Sequence, residues 1–192
     1  PEDFKSDQQL MLPQPPLVKE PVSDVRIDLP MDFRPLQLDK DLLSVIFNRV
    51  SSRVYTQEPI KLLELSFLLW ATQGIKGIRG KKYATLRTVP CGGARHPFET
   101  YLIVRNVEGL KPGKYHYLPM HNQLEFLGEI ENIDGVVDES LCGQKWAVKS
   151  SVVFYWSYVA YRNEWRYGYF THRVSLIDLG HVGEALYLAC AG

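Results

Sequence analysis

The stretch RTVPCGGARHPFETYLIV, from Arg87 to Val104, decides how the rest of the chain is read. Its end runs into TYLIVRNV, a short segment of β-branched and aromatic residues with strand composition. Before it stand a proline, a cysteine, two glycines and an Arg-His pair, which suit a tight loop, a thiol site, or backbone that touches a flat ligand. Gly92 and Gly93 admit backbone angles closed to other residues and put no side chain between main chain and ligand. An extended Pro90-Cys91 entry with free N–H groups beyond it would lie against the polar edge of a planar ring. A structural turn accounts for the same glycines. A thiol reading built on Cys91 and His96 lacks a third, orienting partner.

Upstream, DKDLLSVIFNRV places Asp39 where it can cap a helix, and Leu42, Leu43, Ile46, Phe47 and Val50 follow the helical repeat of a core-facing face. IKLLELSFLLWATQG is apolar around most of its circumference and predicts a central, buried helix, ended by Gly74 in a left-handed conformation. The basic, glycine-punctuated IKGIRGKKYATLR predicts a mobile surface loop. Downstream, EGLKPGKYHYLP and NQLEFLGEI predict a hairpin-like strand pair, and Asp134 to Leu141 a short helix. SSVVFYWSYV has the two-faced apolar composition of a central strand. SLIDLGHVGEALYLACAG is a last helix. This order predicts α+β layering rather than repeated βαβ units. Residues 1–37 hold seven prolines and predict an extended arm that either wraps the body or stays mobile, leaving 38–192 as the domain.

Composition narrows the function classes. The chain has 192 residues, enough for one sizeable domain or a domain plus an arm. Lys and Arg balance Asp and Glu at 22 each, so nothing favours nucleic acid or an anionic membrane. The three cysteines are odd in number and far apart, against a disulfide framework or zinc cluster and in keeping with a reducing cytoplasm. The apolar runs fall short of the roughly 20 residues that cross a bilayer, so no membrane span is expected. The five histidines lack metal-ligand spacing. The chain opens on Pro1 and stops inside an apolar helix, so a further C-terminal segment is expected after Gly192.

Three other groups carry candidate chemistry. Arg49, Ser51 and Arg53 alternate, so an extended backbone turns all three to one side. Two guanidinium forks and a hydroxyl there suit a phosphate, while a basic helix terminus favoured by the dipole is the plainer reading. In NEWRYGYFTHR, Arg166, Tyr167, His172 and Arg173 sit between the strong strand and the last helix. A tyrosine hydroxyl beside a guanidinium is suited to proton transfer or to polarising a substrate, and a surface loop has the same composition. Gly180 and Gly183 form a small-residue face open either to a ring or to another helix.

Taken in order, NRVSSRVYTQEPI, LSFLLWATQGI, RTVPCGGARHPFETYLIVRNVEGLKPGKYHY and RYGYFTHRVSLIDLGHVGEALYLACAG resemble the nitroreductase-like flavoenzymes, in particular the SagB-type dehydrogenase branch. The resemblance covers about residues 40–192 and is most specific around Pro90. It implies a nitroreductase-like α+β fold: a central, mostly antiparallel sheet flanked by helices, in a homodimer with FMN at the subunit interface. It assigns Arg49, Ser51 and Arg53 to the flavin phosphate and ribityl chain, and Pro90, Cys91, Gly92 and Gly93 to the ring. Tyr167 and Arg166 become the catalytic candidates. The implied reaction is hydride transfer through flavin N5, with NAD(P)H as a candidate electron donor and a small molecule or peptide as substrate. Val50, Cys91, Arg166 and Glu184 depart from the usual pattern, and they motivate the alternative of a catalytically degenerate scaffold or partner-binding subunit.

Overall fold

The computed structural model describes residues 4–192; residues 1–3, the first of the predicted arm, lie outside the described residues. In chain order the elements are β1 (Arg26–Asp28), α1 (Leu42–Asn48), α2 (Leu62–Gln73), β2 (Ile75–Arg79), β3 (Ala84–Arg87) and β4 (Phe98–Val104). There follow β5 (Gly113–Leu118), β6 (Gln123–Gly128), α3 (Ile133–Ser140), β7 (Val152–Tyr158), α4 (Ala160–Tyr167) and α5 (Thr171–Ala191). Five strands form one sheet in the order β1-β6-β5-β4-β7, every neighbouring pair antiparallel, and β2-β3 is a separate hairpin. The architecture is the α+β fold read from the sequence.

Alternation along β4 divides the sheet into two faces. Leu102 and Val104 join Tyr115, Tyr117 and Leu124 against Leu65 and Leu69 of α2, and Ile103 turns to Val137 and Ala147 on the other side. Beside that second cluster the face is polar. His116 sits between Glu125 at 2.7 Å from Nδ1 and Glu99 at 3.1 Å from Nε2, and Arg162 reaches Glu99 at 2.5 Å. All four side chains are buried. The segment 16–23 closes over them with main-chain groups: the Lys19 N–H donates to Glu99, those of Val22 and Ser23 donate to Glu125, and Arg162 Nε donates to the Pro16 carbonyl. Burying charge costs several kcal/mol per ion unless it is paired and hydrogen-bonded, so these backbone donors are part of what makes the cluster tolerable.

Several expectations are corrected. IKGIRGKKYATLR is the β2-β3 hairpin, not a loop; Lys76 and Gly77 lie in β2, and Gly80, Lys81 and Lys82 form the tip, where Gly80 and Lys82 take φ of +62° and +60°. The VVFYWSY strand is β7, at the sheet edge rather than the centre. Its composition reports that both faces are covered, which does not require neighbours on both edges. NEWRYGYFTHR is helical, divided by Gly168 at φ +49°, against which Phe4 packs. Gly74 has φ −58° and ψ 136° and is not left-handed; a Cβ there would lie 2.6 Å from the Trp70 carbonyl oxygen, so space explains the glycine.

Helix α1 is capped by Asp41 rather than Asp39. The Asp41 carboxylate accepts from the Leu43 and Ser44 amides, and Asp39 accepts from the Asp41 amide and the Ser44 hydroxyl. More consequentially, α1 does not face the core. Leu42, Leu43, Ile46 and Phe47 are 65%, 74%, 55% and 85% exposed, Val50 is exposed beyond them, and Val45 alone in the helix is buried. One helical stretch, Ala160–Ala191, is long and apolar enough to cross a membrane by length and composition, contrary to the expectation of no such run. It is broken at Gly168, carries the buried Arg162 and Asp178, and leaves much of its apolar surface uncovered.

Candidate functional site

The residues Pro90–His96 make a tight loop of unusual backbone. Cys91 is extended, whereas Gly93, Ala94 and His96 take φ of +57°, +53° and +45°. Left-handed angles at two non-glycine residues are uncommon and persist only where surroundings hold them. Asp178 of α5, itself buried, supplies that hold: Oδ1 accepts the Gly92 N–H at 2.9 Å and Oδ2 accepts the Cys91 thiol at 3.1 Å. The His96 N–H in turn donates to Cys91 Sγ at 3.1 Å. Burial first, and then the Asp178 carboxylate, push the Cys91 thiol up to about 12. Burial and the neighbouring Arg87 press His96 down to about 3. His96 touches the thiol through its backbone N–H and not its ring, and an imidazole so weakly basic is a poor acceptor for the proton of so weakly acidic a thiol, so the geometry gives the thiol reading no support.

Two of the four candidate groups read from the sequence meet here. A Cβ added to Gly93 would run into Arg166 Cδ and Nε and come within 2.9 Å of the Tyr167 hydroxyl. A Cβ on Gly92 would fall 2.5 Å from Val174 Cγ1 and 3.2 Å from the Tyr167 hydroxyl. The glycine pair therefore lets Arg166, Tyr167 and α5 approach the loop backbone. Arg166 is oriented by Gln8 and Tyr83, donating from Nη1 to both at 3.0 and 2.9 Å. Arg95 lies between the rings of Tyr83 and Trp165, 4.8 and 5.3 Å from their centroids, and donates from Nε to the Gly93 carbonyl. Asp178, Gln8, Tyr83 and Arg95 were not singled out from sequence. Only Asp178 left a signal, one of two acids, with Glu184, in a largely apolar helix.

Arg49, Ser51 and Arg53 lie elsewhere. Arg53 donates to the Ser51 carbonyl at 3.3 Å and its guanidinium stands 5.6 Å from the Trp146 ring centroid, and neither arginine pairs with a carboxylate among the described residues. Helix α1 meets the far end of α5, where the Asp39 N–H donates to the Gly192 carbonyl at 2.7 Å. At the α-helical rise of about 1.5 Å per residue, α5 carries the chain roughly 20 Å from Asp178 to that end. Along α5, Leu176, Ile177 and Tyr187 are exposed, and a Cβ on Gly180 or Gly183 would meet nothing within 4 Å.

An antiparallel sheet flanked by helices, with a glycine loop pinned to the last helix, defines a protein of the nitroreductase-like α+β class. A family profile described as the nitroreductase family matches residues 46–192. The chain belongs to the nitroreductase family. It is 31% identical over 165 residues to a protein of Methanocaldococcus jannaschii named for the nitroreductases, the match covering 85% of this chain and 77% of that one. It is 34% identical over 89 residues to the trifolitoxin-processing protein TfxB of Rhizobium leguminosarum bv. trifolii, a match covering 41% of this chain and 24% of TfxB. A nitroreductase-like crystal structure from Ralstonia eutropha superposes with a TM-score of 0.67 at 25% identity, covering 94% of this chain and 76% of the other.

Proposed function

We propose that the protein is an FMN-dependent oxidoreductase of SagB type, working as a homodimer with flavin between the copies. The carrying observation is the separation of the two binding elements along α5. The ring-lining loop Pro90–Gly93 is pinned at Asp178 in the first half of α5, whereas Asp39, at the start of the α1 segment that leads to Arg49, Ser51 and Arg53, bonds the helix C-terminus about 20 Å away, a span longer than one mononucleotide bridges. A second copy placed across the exposed faces of α1 and α5 would supply the missing half.

The donor set fits FMN. Two guanidiniums without carboxylate partners among the described residues suit the phosphate, with Ser51 beside them for a phosphate or ribityl oxygen. The Gly92 N–H is already committed to Asp178, so contact with the ring falls to Pro90, Cys91 and the Gly93 peptide. When bound, FMN exchanges hydride at N5, and the protein supplies position and electrostatics. Tyr167 stands at the loop with a hydroxyl able to carry a proton or polarise a substrate. Arg166, held by Gln8 and Tyr83, contributes fixed positive charge and no base, because a guanidinium keeps its proton. NAD(P)H is the proposed donor. The similarity to a toxin-processing protein supports a peptide or small-molecule substrate.

The test is FMN binding followed by the visible flavin spectrum and by fluorescence quenching. The wild-type protein is expected to bind stoichiometrically. Arg49→Ala/Arg53→Ala is expected to weaken binding by at least about 100-fold, from two charge-assisted contacts of roughly 1.5–3 kcal/mol each. A folded protein that stays colourless in excess FMN, or an unaffected double variant, would sink the reading. Retained biological activity in the flavin-free variant would favour a scaffold.

A further inference from the structure

Away from the loop and α5, a cavity of about 750 Å³ opens between three segments: Gln14–Pro21, the hairpin residues Ile78 and Lys81–Tyr83, and the β5-β6 turn at Leu118–His121. Its volume lies within the range of about 300–1,000 Å³ usual for small organic ligands. None of the residues Pro90–Gly93, Arg166 and Tyr167 lines it; Tyr83, whose hydroxyl accepts from Arg166, stands between the two.

The lining has two characters. Leu17, Ile78, Leu118, Met120 and several prolines make an apolar interior. Lys19, Lys81 and Lys82 stand against Glu20, the one acid among the described lining residues. None of the three lysines pairs with a carboxylate among the described residues. Lys19 instead meets the Tyr101 hydroxyl at 3.0 Å, with its ammonium 5.5 Å from that ring's centroid. Lys81 and Lys82 are exposed on the hairpin tip. Among the described residues no group of His, Cys, Asp and Glu is arranged to hold a metal ion. Three cations around one compact hollow also make no long basic track for a nucleic-acid backbone.

We infer that this cavity binds an amphipathic organic anion, with an apolar body against Ile78, Leu118 and Met120 and its carboxylate or phosphate at the lysines. The cations provide charge complementarity, and the apolar wall provides area removed from water on binding. Flavin binding plays no part in this.

Naphthoate is the probe and neutral naphthamide its control, each titrated into the whole protein while the methyl resonances of Ile78 and Met120 are followed. Naphthoate is expected to move both in a saturable, one-to-one manner. Naphthamide, or naphthoate added to Lys81→Glu/Lys82→Glu, is expected to bind at least about tenfold more weakly, the loss of roughly one charge-assisted contact. Both substitutions are on exposed residues, and an unchanged circular dichroism spectrum verifies the fold. Equal affinity for the neutral probe, an unaffected variant, or shifts confined to methyls on α1 and α5 such as Leu43 and Ile177 would overturn the inference.

Discussion

Cys91 shows how much a single side chain depends on what faces it. In isolation a thiol titrates near 8.5 and is a ready nucleophile. Here burial and the Asp178 carboxylate raise it to about 12, so it is a proton donor to Asp178 and an acceptor for the His96 amide. A group whose folded pKa lies above its unfolded one stabilises the fold fully below the unfolded value, and loses that contribution as pH climbs through the folded value. For Cys91 the window runs from the ordinary thiol range up to about 12. Maleimide at pH 8 is therefore expected to label the exposed Cys142 and to spare Cys91 until the protein unfolds. Peptide mapping that finds Cys91 modified as quickly as Cys142 would contradict the Asp178 contact.

At the scale of elements, the segment 4–23 is bound by its backbone to the charged cluster on the sheet and to α4. The Gln8 N–H donates to the Trp165 carbonyl at 2.7 Å, the Trp165 indole donates to the Leu12 carbonyl at 2.9 Å, and Tyr161 bonds Asp7 at 2.8 Å. These bonds hold the described segment 4–23 along the sheet and α4. Removing one partner from a buried pair leaves the rest uncompensated, at a cost of about 3–5 kcal/mol. Glu99→Ala is expected to lower stability to urea by that order. It should also speed hydrogen exchange at Lys19, whose amide the carboxylate accepts, while α2 amides keep their protection at matched stability. An arm amide no faster than in the parent would show that the strap is held by something else.

Considered as a whole molecule, the chain leaves large apolar side chains uncovered along α1 and α5. Exposed apolar side chains clustered on neighbouring helices are suited to association with another surface. In the proposed homodimer these faces meet, and the two ends of α5 exchange roles between copies. Phe47→Lys combined with Ile177→Lys places charges on both helices at exposed positions. The variant is expected to sediment as a monomer with unchanged circular dichroism and to lose most of its FMN affinity. A parent protein that is itself monomeric while binding FMN would remove the need for a second copy.

Local chemistry reached a long way into this fold. The strand at Thr100–Val104, the β5-β6 hairpin, the α3 segment and the α+β layering follow from β-branched composition, turn residues and helical period, which act over a few residues. Pro90–Gly93 was legible as a place of close backbone approach because glycine puts no Cβ in the way of a neighbour. What approaches was not legible: the neighbours are Arg166, Tyr167 and Val174, and the clamp is Asp178, all more than 70 residues downstream. Periodicity marked the apolar face of α1 without saying what covers it, and β7 was misplaced because two covered faces do not specify an edge. Those matters are settled by contacts between distant segments, and no local propensity encodes which distant segment arrives.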